Sequence, residues 1–197
     1  MDSINYIPDP EIVSFGGKLD HATRSLAENL EPRQLIDLLE PHAIECFQMR
    51  IRDINAHEGT IWVADQARKN LIPVFNSGES AKEIVFEFKQ PIHQGIISMV
   101  YATEMPFLEQ DISGNSQHDK TLDRRLNFET QCMAVAPLYF ASEIRGVISV
   151  VNFEQKEPEQ TMPETEFDNH VLHTLQSSAD ILGQLIDRKL LDTALGR

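Results

Sequence analysis

A chain of 197 residues with 41% apolar residues can bury an ordinary core, and its formal net charge of −14 makes it a poor partner for a phosphate backbone or an anionic lipid surface. No apolar run approaches the roughly 20 residues that span a bilayer, and the start, MDSINYIPDPEIV, has neither the basic nor the apolar part of a signal peptide. Cys46 and Cys132 make no disulfide framework and no C-x-x-C occurs, so a reducing cytoplasm is the expected compartment.

Residues 1–18, with Pro8, Pro10, Gly16 and Gly17, read as a loose arm. A helix is expected over 19–30, where Leu19, Ala22, Leu26 and Leu30 share a face. A second restarts at Glu31-Pro32, buries Leu35, Leu38, Leu39, Ile44 and Phe47, and kinks at Pro41. The period then changes. TIWVAD (60–65) and LIPVFN (71–76) read as strands, and EIVFEFK (83–89) alternates Ile84, Phe86 and Phe88 as a third strand would. A short helix opened by Gly95 covers 95–103, and PFLEQD (106–111) reads as an edge strand with Pro at its first position. After a polar stretch with a possible helix around 119–126 come CMAVAPLYF and GVISVVNF, joined by the tip ASEIR. That is a hairpin signal, and near-continuous apolar character predicts strands buried on both faces. A Pro- and Glu-rich linker precedes a long helix from about Glu164 to Ala194 with a narrow stripe of Leu172, Leu175, Ala179, Leu182, Ile186 and Leu190. The order predicts an α+β fold with an antiparallel sheet.

Several short pieces, in this order and spacing, resemble the GAF domain family: Gln94-Gly95-Ile96, Asp111, Phe128-x-Thr130, Pro137-Leu138, Gly146-Val147-Ile148 and Val150-Val151-Asn152. The resemblance covers about 25–185. It implies a six-stranded antiparallel sheet with helices packed on one face and a ligand pocket on the other. The domain core would be 19–160, with 161–197 as a signalling and dimerisation helix and 112–127 as the pocket's lid.

Carried over residue by residue, ligand contacts fall on Thr60, Phe75, Asn76, Ile96, Ile97, Asp111, Asp123, Phe128, Thr130 and Ser149. A ring such as Phe75 can pack on a flat base, Asp123 can accept N–H donors, and the hydroxyls offer further bonds. Backbone N–H groups after Gly95 start a helix and can hold an anion. The plainer alternatives are that Phe75 is core, that Thr130 ties down the lid, and that Asp123 is a surface partner of Arg124 and Arg125. Cyclic-nucleotide-binding members have Lys after the Asn of the sixth strand, paired to an Asp at the start of the last helix. Here Phe153 follows Asn152, so an uncharged or mixed-charge organic ligand is expected over a cyclic nucleotide.

Sensing rather than catalysis is the expected function, with no cofactor and no metal. The rival is a thiol-dependent redox enzyme like the methionine-sulfoxide-reducing branch, using Cys132 near the pocket mouth. Both cysteines read as buried and inert. A structural domain with its pocket filled by Met99, Phe107 and Phe128 is a third possibility. His118 lies in the lid, where it could ligate a haem or iron with Asp111 or Asp119, but a lone loop His reads more plainly as solvent-exposed. A homodimer through the terminal helices is expected, because Leu182, Ile186 and Leu190 would otherwise sit in water at roughly 1.5 kcal/mol each. The chain is expected either to pass its signal to a downstream effector domain or to act as a small stand-alone sensor.

Overall fold

The computed structural model describes residues 9–154 and 167–197. Seven helices and six strands are found among them: α1 (Pro10–Glu28), α2 (Pro32–Leu38), α3 (Pro41–Asp53), β1 (Glu58–Ala64), β2 (Asn70–Asn76), α4 (Ala81–Ile84), β3 (Gln90–Pro91), α5 (Gly95–Thr103), β4 (Phe107–Glu109), α6 (Thr121–Leu126), β5 (Thr130–Phe140), β6 (Glu143–Phe153) and α7 (Asn169–Ala194). The strands form one antiparallel sheet in the order β3-β2-β1-β6-β5-β4. The expected α+β fold is therefore observed.

β6 and β5 lie inside the sheet, which is why both are apolar at nearly every position. Their hairpin turns through Ala141 and Ser142, both at positive φ (51° and 61°), the conformation a two-residue turn needs to match the strand twist. The turn is pinned from outside, because Ala141 N–H donates to Asp187 Oδ1 of α7 at 2.5 Å.

Helices cover both faces. On one, α1, α2, α3 and α7 pack over Ile61, Val63, Ala134, Ala136, Leu138, Ile148 and Val150. On the other, α4 and α5 pack over Trp62, Leu71, Met133, Val135 and Val147. α7 approaches β5 closely at Gly183, where an added Cβ would run into the Tyr139 carbonyl oxygen.

Four expectations need correction. The loose arm is helical from Pro10, where Asp9 caps α1 through a 2.8 Å bond from Glu11 N–H; residues 1–8 lie outside the described chain. At Pro41 the chain does not kink but breaks, and the proline opens a separate helix, α3. EIVFEFK is not a strand. Ile84 ends α4, Phe86 takes φ 63° and its N–H reaches the Pro73 carbonyl, and Phe88 N–H bonds Ile84 O at 2.9 Å. Ile84 and Phe88 thus share one core as i,i+4 neighbours, while Phe86 points away under the Arg33 guanidinium. The third strand is instead the two residues Gln90–Pro91. Lastly, Leu182, Ile186 and Leu190 are at most 2% exposed within the single chain, so the area argument for a dimer fails. α7 lies along α1 and β5 rather than projecting beyond the sheet. Its expected first residues, 164–166, lie outside the described chain.

Candidate functional site

Side chains on alternate positions of a strand share a face. On β1 this sends Glu58, Thr60 and Trp62 toward α5 and α6; on β6 it sends Ser149, Val151 and Phe153 the same way. With Asn76, Met133 and Thr130 they floor a cavity of about 60 Å³. Space of that size exceeds the 10–15 Å³ or so that a single water needs. Gly95, Ile96 and Ile97 close one side, and His118, Asp119, Leu122, Asp123 and Leu126 roof it. The 112–127 segment thus covers the cavity.

The polar floor is bonded together. Asn76 Nδ2 donates to Thr60 Oγ1 at 2.9 Å and to Glu58 Oε2 at 3.1 Å, while Gly78 N–H donates to Asn76 Oδ1 at 2.7 Å. Trp62, 1% exposed, donates its indole N–H to Ser149 Oγ at 3.0 Å. Glu58 is 8% exposed, and burial pushes its carboxyl above the usual range against the bond from Asn76.

The lid is latched through Asp123. It accepts Thr130 N–H at 3.0 Å and Thr130 Oγ1 at 2.9 Å, and His118 Nε2 lies 3.1 Å from its Oδ2. Burial alone would raise the Asp123 carboxyl, but the bonds from His118 and Thr130 more than offset this and hold it low. Asp119 forms a second latch: its Oδ2 accepts Gln90 Nε2 at 3.0 Å. Its Cβ stands 3.0 Å from where a side chain on Gly95 would begin, and Gly95 has φ 83°, so this position tolerates glycine best. The N-terminal end of α5, expected as an anion cradle, is therefore flanked by the chain's own carboxylate.

Thr60, Asn76, Ile96, Ile97, Asp123, Phe128, Thr130 and Ser149 line the cavity. Phe75 and Asp111 do not. Phe75 packs edge-on against Phe47 of α3, with centroids 6.0 Å apart, on the opposite face of the sheet. Asp111 is exposed and accepts Ser113 N–H at 3.0 Å, capping the start of the lid. Met99 and Phe107 are also absent from the lining. Glu58, Trp62, Gln90 and Phe153 belong to the cavity without having been expected there, and His118 and Asp119 reach it from the lid. Strand alternation from Thr60 and Ser149 carries the signal for Glu58, Trp62 and Phe153. His118 is no exposed loop residue, because its side chain is 5% exposed.

Phe153, where nucleotide binders carry Lys, stacks on Phe128 with centroids 4.6 Å apart and an interplanar angle of 17°. The Asp expected to receive that Lys, Asp168, caps α7 instead, accepting His170 and Val171 N–H at 2.8 and 3.0 Å. Cys132 faces the helix side of the sheet, outside the cavity, and burial raises its thiol pKa. Cys46 corrects the other thiol expectation, being exposed on α3.

No protein-family model and no curated protein matches the chain. Solved structures do. The chain is similar to the GAF domain of a phosphoenolpyruvate-protein phosphotransferase from Coxiella burnetii, at 15% identity and TM-score 0.62, covering 91% of this chain and 95% of that one. The corresponding Acinetobacter domain matches at 14% identity and TM-score 0.57, over 96% and 99% of the two chains. A free methionine-R-sulfoxide reductase from Neisseria meningitidis, solved with its substrate, matches at 14% identity and TM-score 0.56, over 96% and 99%. The fold thus serves enzymes as well as GAF domains named without an activity. Six antiparallel strands, helices on both faces and a lidded cavity opposite the long last helix give this chain the fold of a GAF domain.

Proposed function

We propose that the chain is a GAF-type sensory domain that holds a small ligand of positive or mixed charge under its 112–127 lid. One observation carries this reading: the cavity lining contains Glu58, Asp119 and Asp123 but no lysine or arginine. An anionic ligand would meet three carboxylates, with only His118, already paired to Asp123, beside them. A protonated amine would meet Glu58, whose burial is otherwise eased by Asn76. The rings of Trp62, Phe128 and Phe153 in the lining suit an apolar body on the ligand. Calorimetry with both cyclic purine nucleotides and a panel of amines and amino acids tests the class. Saturable binding is expected among the amines; sub-micromolar binding of either nucleotide would overturn the reading.

The rival is a redox enzyme, since the fold is shared with a methionine-R-sulfoxide reductase. Burial of Cys132 on the far face and exposure of Cys46 on α3 favour a sensor. Turnover of free methionine sulfoxide that Cys132→Ser abolishes would reverse that preference.

Signal output belongs to the same proposal. α7 spans the sheet's helix face and α1 lies against it, so a change in the sheet reaches both terminal helices and any effector domain joined to them. Pairing with a second copy would use α1 rather than α7. Its Ile12, Val13 and Phe15 are 64%, 58% and 59% exposed, and Gly16 and Gly17 have nothing within 4 Å. Two glycines cost this helix about 1 kcal/mol each, which an apolar contact along this face would offset. Light scattering should find a dimer that Ile12→Lys with Phe15→Lys converts to monomer; a wild-type monomer at tens of micromolar would refute pairing. The two unpaired cysteines, Cys46 and Cys132, support a reducing, cytoplasmic setting for the domain.

A further inference from the structure

Three buried hydroxyls line the cavity under the lid, and their bonds are not alike. Thr130 is spent as a donor, its O–H going to Asp123 Oδ1 at 2.9 Å. Thr60 and Ser149 are held the other way round. Trp62 Nε1, which can only donate, directs its N–H to Ser149 Oγ. Asn76 has its Oδ1 taken by the Gly78 N–H, which fixes Nδ2 as the group that donates to Thr60 Oγ1. Both hydroxyls are therefore acceptors in the fold, and among the described residues neither donates its own proton.

Thr60 is 7% exposed and Ser149 3%, and both belong to the lining. A buried O–H without an acceptor is costly, so these two protons call for an acceptor inside the cavity. The two residues are partners in the β1–β6 register. Their Cβ atoms stand about 5 Å apart on the same face, so one oxygen can take both protons.

Glu58 lies two residues back on that face of β1, about 7 Å along the strand. An amine at Glu58 and an oxygen at the hydroxyls thus belong to one short molecule. Size agrees: at the 10–15 Å³ or so that one water needs, about 60 Å³ is room for about four to six atoms of that size. A carboxylate oxygen fits poorly, because it would add a fourth negative charge to Glu58, Asp119 and Asp123 in a lining without lysine or arginine. A neutral amide carbonyl adds none, and its N–H groups find acceptors in those same carboxylates.

We propose that the lid cavity selects a small amino amide, whose protonated amine faces Glu58 and whose carbonyl oxygen accepts the O–H protons of Thr60 and Ser149. This rests on the reading of the cavity as an amine site and adds the second group that the ligand must carry.

The test is thermal melting and calorimetry of the full chain with alaninamide, ethylamine and alanine at constant ionic strength and neutral pH. Alaninamide is expected to raise the melting temperature saturably. Ethylamine, which lacks the carbonyl, and alanine, which has a carboxylate in its place, should each bind at least tenfold more weakly. Thr60→Val removes one hydroxyl at nearly constant shape and should bring alaninamide to within about threefold of ethylamine; a merely structural role would weaken both amines alike. Should that variant fail to fold by circular dichroism, Ser149→Ala serves instead, read by the same ratio. Ethylamine binding as tightly as alaninamide, or a ratio unchanged in the variant, would overturn this inference while leaving the amine site standing. Alanine binding more tightly than alaninamide would overturn the neutral carbonyl. No saturable effect of either amine at tens of millimolar would overturn the inference and the amine site together.

Discussion

The two faces of the sheet are built by different rules. The helix face is dry: Leu175, Leu182, Ile186, Ile148 and Ala136 are at most 2% exposed, and α7 lies so close that Gly183 has no room for a side chain. The lid face keeps Glu58, Thr60, Asn76, Thr130 and Ser149 below 9% exposed, bonded to one another, to the lid or, for Ser149, to the Trp62 indole rather than replaced by hydrocarbon. One sheet thus carries an unbroken dry core on one side and, on the other, a second core that borders a polar, partly empty cavity. Strand alternation lets each be tuned with little effect on its opposite.

Breaking the dry face should have the largest effect. Ile186→Ala removes a side chain that is 0% exposed, and should cost about 2–5 kcal/mol in urea unfolding. Ligand affinity under the lid should be retained. If amine binding falls in step with stability, the faces are coupled more tightly than this division allows.

Next is the lid latch. Asp123→Asn weakens an acceptor of bonds from Thr130 and His118, and about 1–3 kcal/mol should be lost. Because Asp123 is held below its unfolded value, its contribution is present above the unfolded pKa and disappears as pH falls through the lower, folded one. The variant's stability should therefore fall less steeply on acidification than the wild type's. Parallel acid limbs would show that Asp123 is not the latch.

The stack of Phe128 on Phe153 is worth about 0.5–1.5 kcal/mol. Phe153→Ala should cost about that much and speed hydrogen exchange in 112–127 while leaving α7 protected. Uniform acceleration would instead make Phe153 a global core residue.

Smallest, and opposite in sign to Asp123, is the effect of Glu58. Burial raises its carboxyl, so the stability it contributes is present below the unfolded pKa and is lost as pH rises through the folded one. Glu58→Gln should flatten that decline and make the unliganded protein the more stable one at neutral pH. A variant less stable at neutral pH would mean that the charged carboxylate has a partner beyond Asn76.

The contrast between faces also explains what the sequence made legible. β5 and β6 declare themselves because a strand buried on both faces has no polar alternation to confuse. The 83–89 segment misleads because Ile84, Phe86 and Phe88 fit period two, and nothing local announces the positive φ of Phe86. The narrow stripe on α7 looks like a seam for a second chain, because the wrapping of α1, α2 and α3 over it is tertiary. In the site, residues on strands follow by alternation once one is placed, as Glu58 and Trp62 follow Thr60. His118 does not, because a loop side chain acquires its role from where the lid closes, five residues from Asp123 and without a period to reveal it.

Native mass spectrometry of the purified wild type and Glu58→Gln tests the acidic lid cavity most directly. The account predicts a small adduct containing a basic nitrogen on the wild type, released at low collision energy and missing from the variant. An anionic adduct such as a nucleotide, or an adduct that Glu58→Gln retains in full, would contradict it.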